Sequence, residues 1–242
     1  MNNLCVAHRG ASGEAPENTL IAARHAMAYP FVQWMEIDVQ LSKDQIPVVI
    51  HDDWVNRTTN GKGKVADYTA EELANLDAGR WFGRSFEGEP VPTLEQMLHA
   101  TAGRCRLNIE LKTLGSNYPE IEQKVVELLY KYNLQFDTVI TSFDPDTLYN
   151  VKKISPDIVT GLIIDASPSQ LIAELNRLEA AFLSIGYTQI TPHRLQEWHQ
   201  AGLTVMAWTV NDAATMRRLM EMNANLMICT NYPDRYAQAL SM

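Results

Sequence analysis

Two kinds of apolar segment alternate along most of the chain. The short kind is nearly continuous, as in residues 159–164 and 204–208, which is typical of parallel strands covered on both faces. The longer kind carries apolar residues at helical spacing, as at Leu20, Ile21 and Met27. This pattern predicts buried strands that alternate with amphipathic helices.

The pattern places nine strands and nine helices. Strands are predicted at residues 4–7, 35–41, 46–50, 105–111, 138–141, 158–164, 182–185, 203–210 and 226–229. Helices are predicted at residues 17–29, 70–76, 93–102, 119–132, 145–154, 168–178, 192–201, 212–222 and 234–240. The connection at residues 42–45 allows only an antiparallel return, so residues 46–50 form a hairpin arm outside the regular repeat.

Without that arm and the helix at 70–76, eight strand–helix pairs remain in 242 residues. This is the length and rhythm of a (β/α)8 TIM barrel, and we predict one barrel domain over residues 1–242. An open doubly wound sheet is the competing architecture, but no Gly-x-Gly-x-x-Gly motif follows the first strand. Residues 52–92 show little periodicity and predict a small insertion over the active face.

Composition excludes several classes of protein. The chain has 20 Lys and Arg against 29 Asp and Glu, a net charge of −9, which argues against a nucleic-acid partner. No apolar run approaches the ~20 residues that cross a bilayer, and three widely spaced cysteines (Cys5, Cys105 and Cys229) suggest reduced thiols. We therefore expect no membrane insertion, a cytoplasmic location, and a monomer or small homo-oligomer.

Three acidic residues lie near the carboxyl ends of adjacent predicted barrel strands. Glu36 and Asp38 project from one face of their strand because side chains alternate, and Glu110 is at the end of the next barrel strand. A lone acid is usually a surface charge, but a cluster of three favours one divalent cation with oxygen ligands, Mg²⁺ or Ca²⁺. No thiolate or His-Glu-x-x-His motif accompanies the cluster, which disfavours zinc.

Two histidines flank these acids. His8 follows the first strand and His51 follows the hairpin arm, and each precedes a charged residue. Imidazole titrates near neutral pH, so the two residues are candidates for a general acid and a general base. The other histidines fall in helices or at a helix start and are interpreted as structural: His25, His99, His193 and His199.

Three more residues sit at strand ends. Arg9 and Lys112 could hold a phosphoryl oxygen or neutralise the acids, and both roles are compatible. Trp208 could pack in the barrel or form an apolar wall for a substrate, and its position alone does not decide between the two.

Seven motifs occur in order from the first strand to the last. They are His8-Arg9-Gly10, Pro16-Glu17-Asn18-Thr19, Glu36-Ile37-Asp38-Val39, Val48-Val49-Ile50-His51-Asp52, Glu110-Leu111-Lys112, Ser142-Phe143-Asp144 and Trp208-Thr209-Val210-Asn211. Together they resemble the glycerophosphodiester phosphodiesterase family, in its compact bacterial cytosolic type.

The resemblance implies hydrolysis of a glycerophosphodiester to glycerol 3-phosphate and an alcohol. It implies metal ligation by Glu36, Asp38 and Glu110 and acid–base roles for His8 and His51. It also implies phosphate contacts by the positions matching Arg9 and Lys112. Two departures stand out: Asp44-Gln45 where the family commonly has Asp-Gly in the hairpin turn, and Thr230-Asn231 where Thr-Asp is usual.

Two other functions remain open at this point. A metal-dependent barrel lyase or isomerase acting on a phosphosugar would need a Schiff-base lysine or an enolising base, and Lys112 is the plausible candidate. A non-catalytic binding barrel is a third possibility, favoured by loss of an acid or a histidine. None of those residues is missing here.

Overall fold

A computed structural model describes residues 3–113 and 118–241. The strands are β1 (Cys5–His8), β2 (Val32–Leu41), β3 (Pro47–Val49), β4 (Arg106–Leu111), β5 (Thr138–Ser142), β6 (Val159–Ile164), β7 (Phe182–Gly186), β8 (Thr204–Trp208) and β9 (Met227–Thr230). The α-helices are α1 (Leu20–Met27), α2 (Ala70–Ala74), α3 (Leu94–Thr101), α4 (Ile121–Lys131), α5 (Pro145–Ile154), α6 (Leu171–Arg177), α7 (Pro192–Gln200), α8 (Ala213–Met222) and α9 (Pro233–Ser241).

Eight of the strands form a closed parallel barrel with helices between them. Each strand pairs with the next around the ring, and β1 closes it by pairing with both β9 and β2. The remaining strand, β3, lies outside the ring and pairs with β2 in the antiparallel sense. The predicted TIM barrel with an extra hairpin arm is confirmed.

The hairpin turn between β2 and β3 contains one of the two departures noted in the sequence. Gln45 adopts a left-handed backbone conformation with φ 63, which glycine adopts at lower cost. The hydroxyl of Ser42 supports this turn by accepting a hydrogen bond from the backbone N–H of Ile46 at 3.0 Å. The chain therefore uses a turn conformation that favours glycine without having the glycine.

The register of β2 brings the predicted site residues side by side. Glu36 is the pairing partner of His8 on β1, and Asp38 is the partner of Glu110 on β4. Strand β2 ends at Leu41, as predicted, and begins at Val32, three residues earlier than predicted. Its last residues leave the barrel and pair with β3, so the acids lie at the end of the part of β2 inside the barrel.

Helix α1 begins at Leu20, three residues later than predicted. Asn18 has a positive φ of 59, which a right-handed helix does not allow. Thr19 caps the helix instead, since its hydroxyl accepts a hydrogen bond from the N–H of Ala22 at 3.2 Å. Asn18 is therefore free to contact Asp38 on β2.

Residues 52–92, all of which the structure describes, contain one short α-helix, two 3-10 turns and no named strand. Their apolar side chains form a cluster of their own against the hairpin arm. The cluster consists of Val48, Ile50, Val55, Val65, Leu73, Ala78 and Val91. This packing attaches the segment to β3, so residues 51–54 are held beside the barrel mouth.

None of the described helices has the length and apolarity needed to cross a lipid bilayer. All three cysteines lie within the described residues and are free thiols. Cys5 and Cys229 are buried, and Cys105 is half-buried.

Candidate active site

The acids Glu36, Asp38 and Glu110 converge at the carboxyl end of the barrel. One carboxylate oxygen from each lies within 4.8 Å of the others. All three side chains are buried, and Asp38 has no exposed surface. Three acids this close and this dry cannot all be ionised without a strong compensating charge.

Electrostatics divides these acids into two kinds. Burial and the neighbouring charges of Asp38 and Glu110 raise the pKa of Glu36 well above its usual range. Burial and the Asp38 charge raise the pKa of Glu110 to about 7. Burial also acts to raise the pKa of Asp38, but the charges of Arg9 and Lys112 outweigh it and lower that pKa.

Two carboxylate oxygens of the cluster are buried and have no hydrogen-bond partner among residues 3–113 and 118–241. They are Oε1 of Glu36 and Oδ1 of Asp38. A buried acceptor without a partner costs stability unless something compensates it. Carboxylate oxygens are the ligands that Mg²⁺ and Ca²⁺ prefer, so the three acids fit a hard divalent cation.

We expect the metal-free protein to become more stable as the pH falls from about 8 to about 6.5. The folded-state pKa values of Glu110 and Glu36 are raised, so the folded protein takes up protons in this range that the unfolded chain does not. Glu110 alone contributes about 1 kcal/mol over this interval. His8, whose pKa is lowered to about 4, opposes the trend by about 0.4 kcal/mol over the same interval, because the unfolded imidazole begins to protonate above pH 6.5.

Thermal unfolding of EDTA-treated protein at both pH values measures this effect. Glu110→Gln removes the contribution of Glu110 and should shrink the difference between the two melting temperatures. A wild-type protein that melts higher at pH 8 than at pH 6.5 would contradict the prediction.

Two cations neutralise part of the acidic cluster. Arg9 Nε lies 3.1 Å from Asp38 Oδ2, and the backbone N–H of Arg9 donates to Glu36 Oε2 at 3.1 Å. Lys112 Nζ donates to Glu110 Oε1 at 2.7 Å and lies 3.6 Å from Asp38 Oδ1. Burial acts to lower the pKa of Lys112, but the charges of Asp38 and Glu110 outweigh it and raise that pKa.

His8 sits between an amide and the acidic cluster. Its Nδ1 lies 2.6 Å from Asn231 Oδ1, and its Nε2 lies 3.7 Å from Glu36 Oε2. Burial, with the charge of Arg9 acting in the same direction, lowers the pKa of His8 to about 4. The departure at Asn231 therefore bears directly on a predicted acid–base residue and supplies its hydrogen-bond partner.

His51 is held by a carboxylate and by its own backbone. Its Nδ1 lies 2.7 Å from Asp52 Oδ1, and its carbonyl accepts a hydrogen bond from Gln40 Nε2 at 2.8 Å. The hydroxyl of Tyr118 donates to the other end of the Gln40 amide at 2.6 Å. His51 is thus anchored to β2 even though it follows the hairpin arm.

A cavity of about 140 Å³ joins the predicted residues. Seven of the eight line it: His8, Arg9, Glu36, His51, Glu110, Lys112 and Trp208. Asp38, the eighth, has no exposed surface and contacts the two cations. Trp208 thus forms part of the cavity wall, where its ring packs edge-on against Phe143 at 5.9 Å between centroids.

A second cavity of about 450 Å³ adjoins the first and shares His51, Glu110, Lys112 and Phe143 with it. Its outer wall includes Trp54, whose residue surface is 51% exposed. A cavity of about 380 Å³ lies at the opposite end of the barrel, where β4 and β5 begin. It borders no cluster of acids and histidines, so cavity size alone does not identify the site.

Sequence reasoning assigned no role to several residues that hold the site together. Asn18 Nδ2 donates to Asp38 Oδ2 at 2.8 Å, and its Oδ1 accepts from the Asp38 backbone N–H at 3.2 Å. Glu17 accepts a hydrogen bond from Arg9 Nη1 at 2.8 Å, and Arg57 contacts Glu17 from the segment 52–92. Glu17 and Asn18 belong to the Pro16-Glu17-Asn18-Thr19 motif, so the resemblance to the family could have indicated them. Arg57 belongs to none of the seven motifs.

Comparisons with known proteins agree with one another. The profile of the glycerophosphoryl diester phosphodiesterase family matches residues 8–235. A glycerophosphodiester phosphodiesterase of Caldanaerobacter subterraneus subsp. tengcongensis is 38% identical over 97% of this chain and 96% of its own. Another, from Bacillus subtilis, is 32% identical over 96% of this chain and 85% of its own.

Solved structures show the same likeness in three dimensions. A phosphodiesterase of Oleispira antarctica, in complex with the product sn-glycerol-3-phosphate, superposes with a TM-score of 0.93 at 33% identity, over 99% of this chain and 97% of its own. A glycerophosphodiester phosphodiesterase of Agrobacterium tumefaciens superposes with a TM-score of 0.84 at 30% identity, over 98% and 99% of the two chains. The chain therefore belongs to the glycerophosphoryl diester phosphodiesterase family of phosphoric diester hydrolases.

Proposed function

We propose that this protein hydrolyses glycerophosphodiesters to sn-glycerol 3-phosphate and an alcohol in a reaction that depends on a divalent metal. The observation that carries the proposal is the buried cluster of three acids beside a cavity that two histidines and two cations also line. That arrangement can bind a phosphodiester anion and move protons on either side of it.

Glu36, Asp38 and Glu110 would hold one divalent cation, Mg²⁺ or Ca²⁺. When bound, the cation would supply positive charge that neutralises phosphoryl oxygens. Arg9 and Lys112 border the same cavity and would bind the remaining oxygens. Nη2 of Arg9 can bind a phosphoryl oxygen, because among the described residues Asp38 contacts its Nε and Glu17 contacts its Nη1.

The two histidines have different partners, and we assign their roles accordingly. His8 is paired with an uncharged amide and its pKa is lowered to about 4, chiefly by burial, so it is neutral near pH 7 and suited to accept a proton. His51 has its Nδ1 held by Asp52 and borders the outer cavity, so we assign it the role of general acid. His51 would then protonate the leaving alkoxide.

The two adjoining cavities suggest where the halves of a diester would lie. The inner cavity of about 140 Å³ would receive the glycerol phosphate half, next to the three acids. The outer cavity of about 450 Å³ begins at His51 and is walled by Trp54 and Phe143. It would receive the alcohol half, which places the leaving oxygen near the proposed general acid.

A coupled assay for glycerol 3-phosphate release tests the proposal. With glycerophosphocholine or glycerophosphoethanolamine as substrate, we expect release of glycerol 3-phosphate that stops with EDTA and resumes with excess Mg²⁺ or Ca²⁺. Absence of release from both substrates with metal present would overturn the proposed substrate class. Release that is unaffected by EDTA would overturn the proposed metal dependence.

The same assay and one trapping experiment separate the two rival functions. A lyase or isomerase would form a Schiff base on Lys112, but two acids hold that amine in its charged, non-nucleophilic form. Borohydride with substrate should therefore trap no adduct. A non-catalytic binding barrel would show no turnover at all.

We also propose a reducing compartment such as the cytoplasm. The three free cysteines support it, because thiols persist where disulfides do not form.

A further inference from the structure

The guanidinium of Arg57 contacts two carboxylates from distant parts of the chain. Its Nε and Nη2 donate to the two oxygens of Asp52 at 2.7 and 2.9 Å. Its Nη1 and Nη2 donate to the two oxygens of Glu17, both at 2.8 Å. Arg57 therefore makes a two-point contact with each acid, which uses the planar fork that distinguishes arginine from lysine.

Each of these carboxylates also holds a residue of the proposed active site. Asp52 Oδ1 lies 2.7 Å from Nδ1 of His51. Glu17 Oε1 accepts a hydrogen bond from Nη1 of Arg9 at 2.8 Å. The contacts form one continuous chain of side chains: His51, Asp52, Arg57, Glu17, Arg9 and Asp38.

We infer that Arg57 is a positioning residue that fixes the ring of His51 through Asp52 and the guanidinium of Arg9 through Glu17. The inference rests on the proposed function, which gives His51 and Arg9 their roles. Among the described residues that line the two cavities, His51 and Arg9 are present and Arg57 is not. Arg57 thus acts through other residues.

The location of Arg57 explains why one residue serves both sides of the site. Glu17 lies in the loop between β1 and α1, and Asp52 follows the hairpin arm. Arg57 belongs to the segment that packs on that arm, and its side chain is 44% exposed. Without it, two acids would face each other across the gap between the loops and repel.

Steady-state kinetics of Arg57→Gln and Arg57→Lys test the inference on the full-length enzyme with glycerophosphocholine and metal. We expect Arg57→Gln to lower kcat by about 10- to 100-fold, since a small misplacement of reacting groups has that effect, and to change KM by less than about threefold. Arg57→Lys restores the charge but not the two-point contacts, so its kcat should stay at least about fivefold below wild type.

Arg80→Gln is the matched control, because Arg80 is in the same segment and pairs with one exposed acid, Glu87. It should retain wild-type kinetics. A raised KM with wild-type kcat in Arg57→Gln would show that Arg57 binds substrate itself and would overturn the inference. Full kcat in Arg57→Lys would overturn it as well, because charge alone would then suffice.

A readout independent of activity separates this inference from the proposed function. The ¹⁵N resonances of the His51 ring, assigned by comparison with His51→Ala, should show a hydrogen-bonded Nδ1–H in the wild type. That signature should weaken in Arg57→Gln and persist in Arg80→Gln. Unchanged His51 resonances in Arg57→Gln would overturn the inference even in an active enzyme, whereas an inactive wild type with the expected resonances would overturn only the proposed function.

Discussion

His51→Ala is expected to lower kcat for glycerophosphocholine hydrolysis by ~10²–10⁴-fold, because loss of a positioned general acid has effects of this size. The ring faces the outer cavity, where the alcohol half would lie, and choline leaves as a poorly stabilised alkoxide unless it is protonated. The change should leave the fold intact, since the His51 side chain is 30% exposed and contributes little to the core.

A substrate whose leaving group needs no proton tests whether His51 is the general acid. On a glycerophosphate ester of p-nitrophenol, whose phenolate leaves without a proton, His51→Ala should recover most of the lost activity. His8→Ala should instead lose ~10²–10⁴-fold on both substrates, since a general base is needed whatever group leaves.

His193→Ala is the matched control, because His193 lies on α7 with its side chain 81% exposed and should retain wild-type rates. Near-normal turnover of either His8→Ala or His51→Ala would remove that residue from the mechanism. The opposite pattern of rescue, with recovery in His8→Ala alone, would exchange the two roles.

The second large effect is expected at the acidic cluster. Treatment with EDTA should reduce activity by at least ~100-fold, and Glu36→Gln should raise the metal concentration for half-maximal activity by at least ~10-fold. The physical reason is that Glu36 presents a buried oxygen to which no described residue donates a hydrogen bond, and an amide replaces it with a weaker, uncharged ligand. Titration of the EDTA-treated enzyme with Mg²⁺ and Ca²⁺ measures both values.

Thermal unfolding gives a second view of the same site. Metal should raise the melting temperature of the wild type through binding to the folded state, and the rise should be smaller in Glu36→Gln. In the absence of metal the order should reverse, with Glu36→Gln melting above the wild type, because it lacks one of three mutually repelling buried acids.

Glu127→Gln serves as the control for charge loss, since Glu127 is exposed on α4. It should match the wild type in both titrations. An unchanged metal titration in Glu36→Gln would show that this carboxylate is not a ligand.

Local features were predictable from the sequence because their causes are local. The helix predicted at residues 93–102 is present as α3, and the capping box of Thr93 and Gln96 at its start is a contact within one turn of the chain. The same-face placement of Glu36 and Asp38 follows from strand geometry alone. The eightfold alternation of strand and helix was enough to predict the closed barrel.

The errors of prediction have a common source in distant contacts. The start of α1 was placed too early, since the helical pattern does not reveal that Asn18 binds Asp38 across the barrel mouth. The start of β2 was placed too late, at residue 35 instead of Val32, since parallel pairing with β1 and β4 extends the strand at that end. In both cases tertiary hydrogen bonds outweighed local preference.

By itself the sequence determined the order of elements, the barrel, and the eight residues that meet at its mouth, because periodicity and strand-end positions suffice for these. Only the tertiary structure decided how those residues are held. Asn231 reaches His8 over a separation of 223 residues, and Arg57 reaches Glu17 over 40. Such partners come together only when the barrel closes and the segment 52–92 packs on the hairpin arm. These long-range contacts produce no periodic pattern in the sequence.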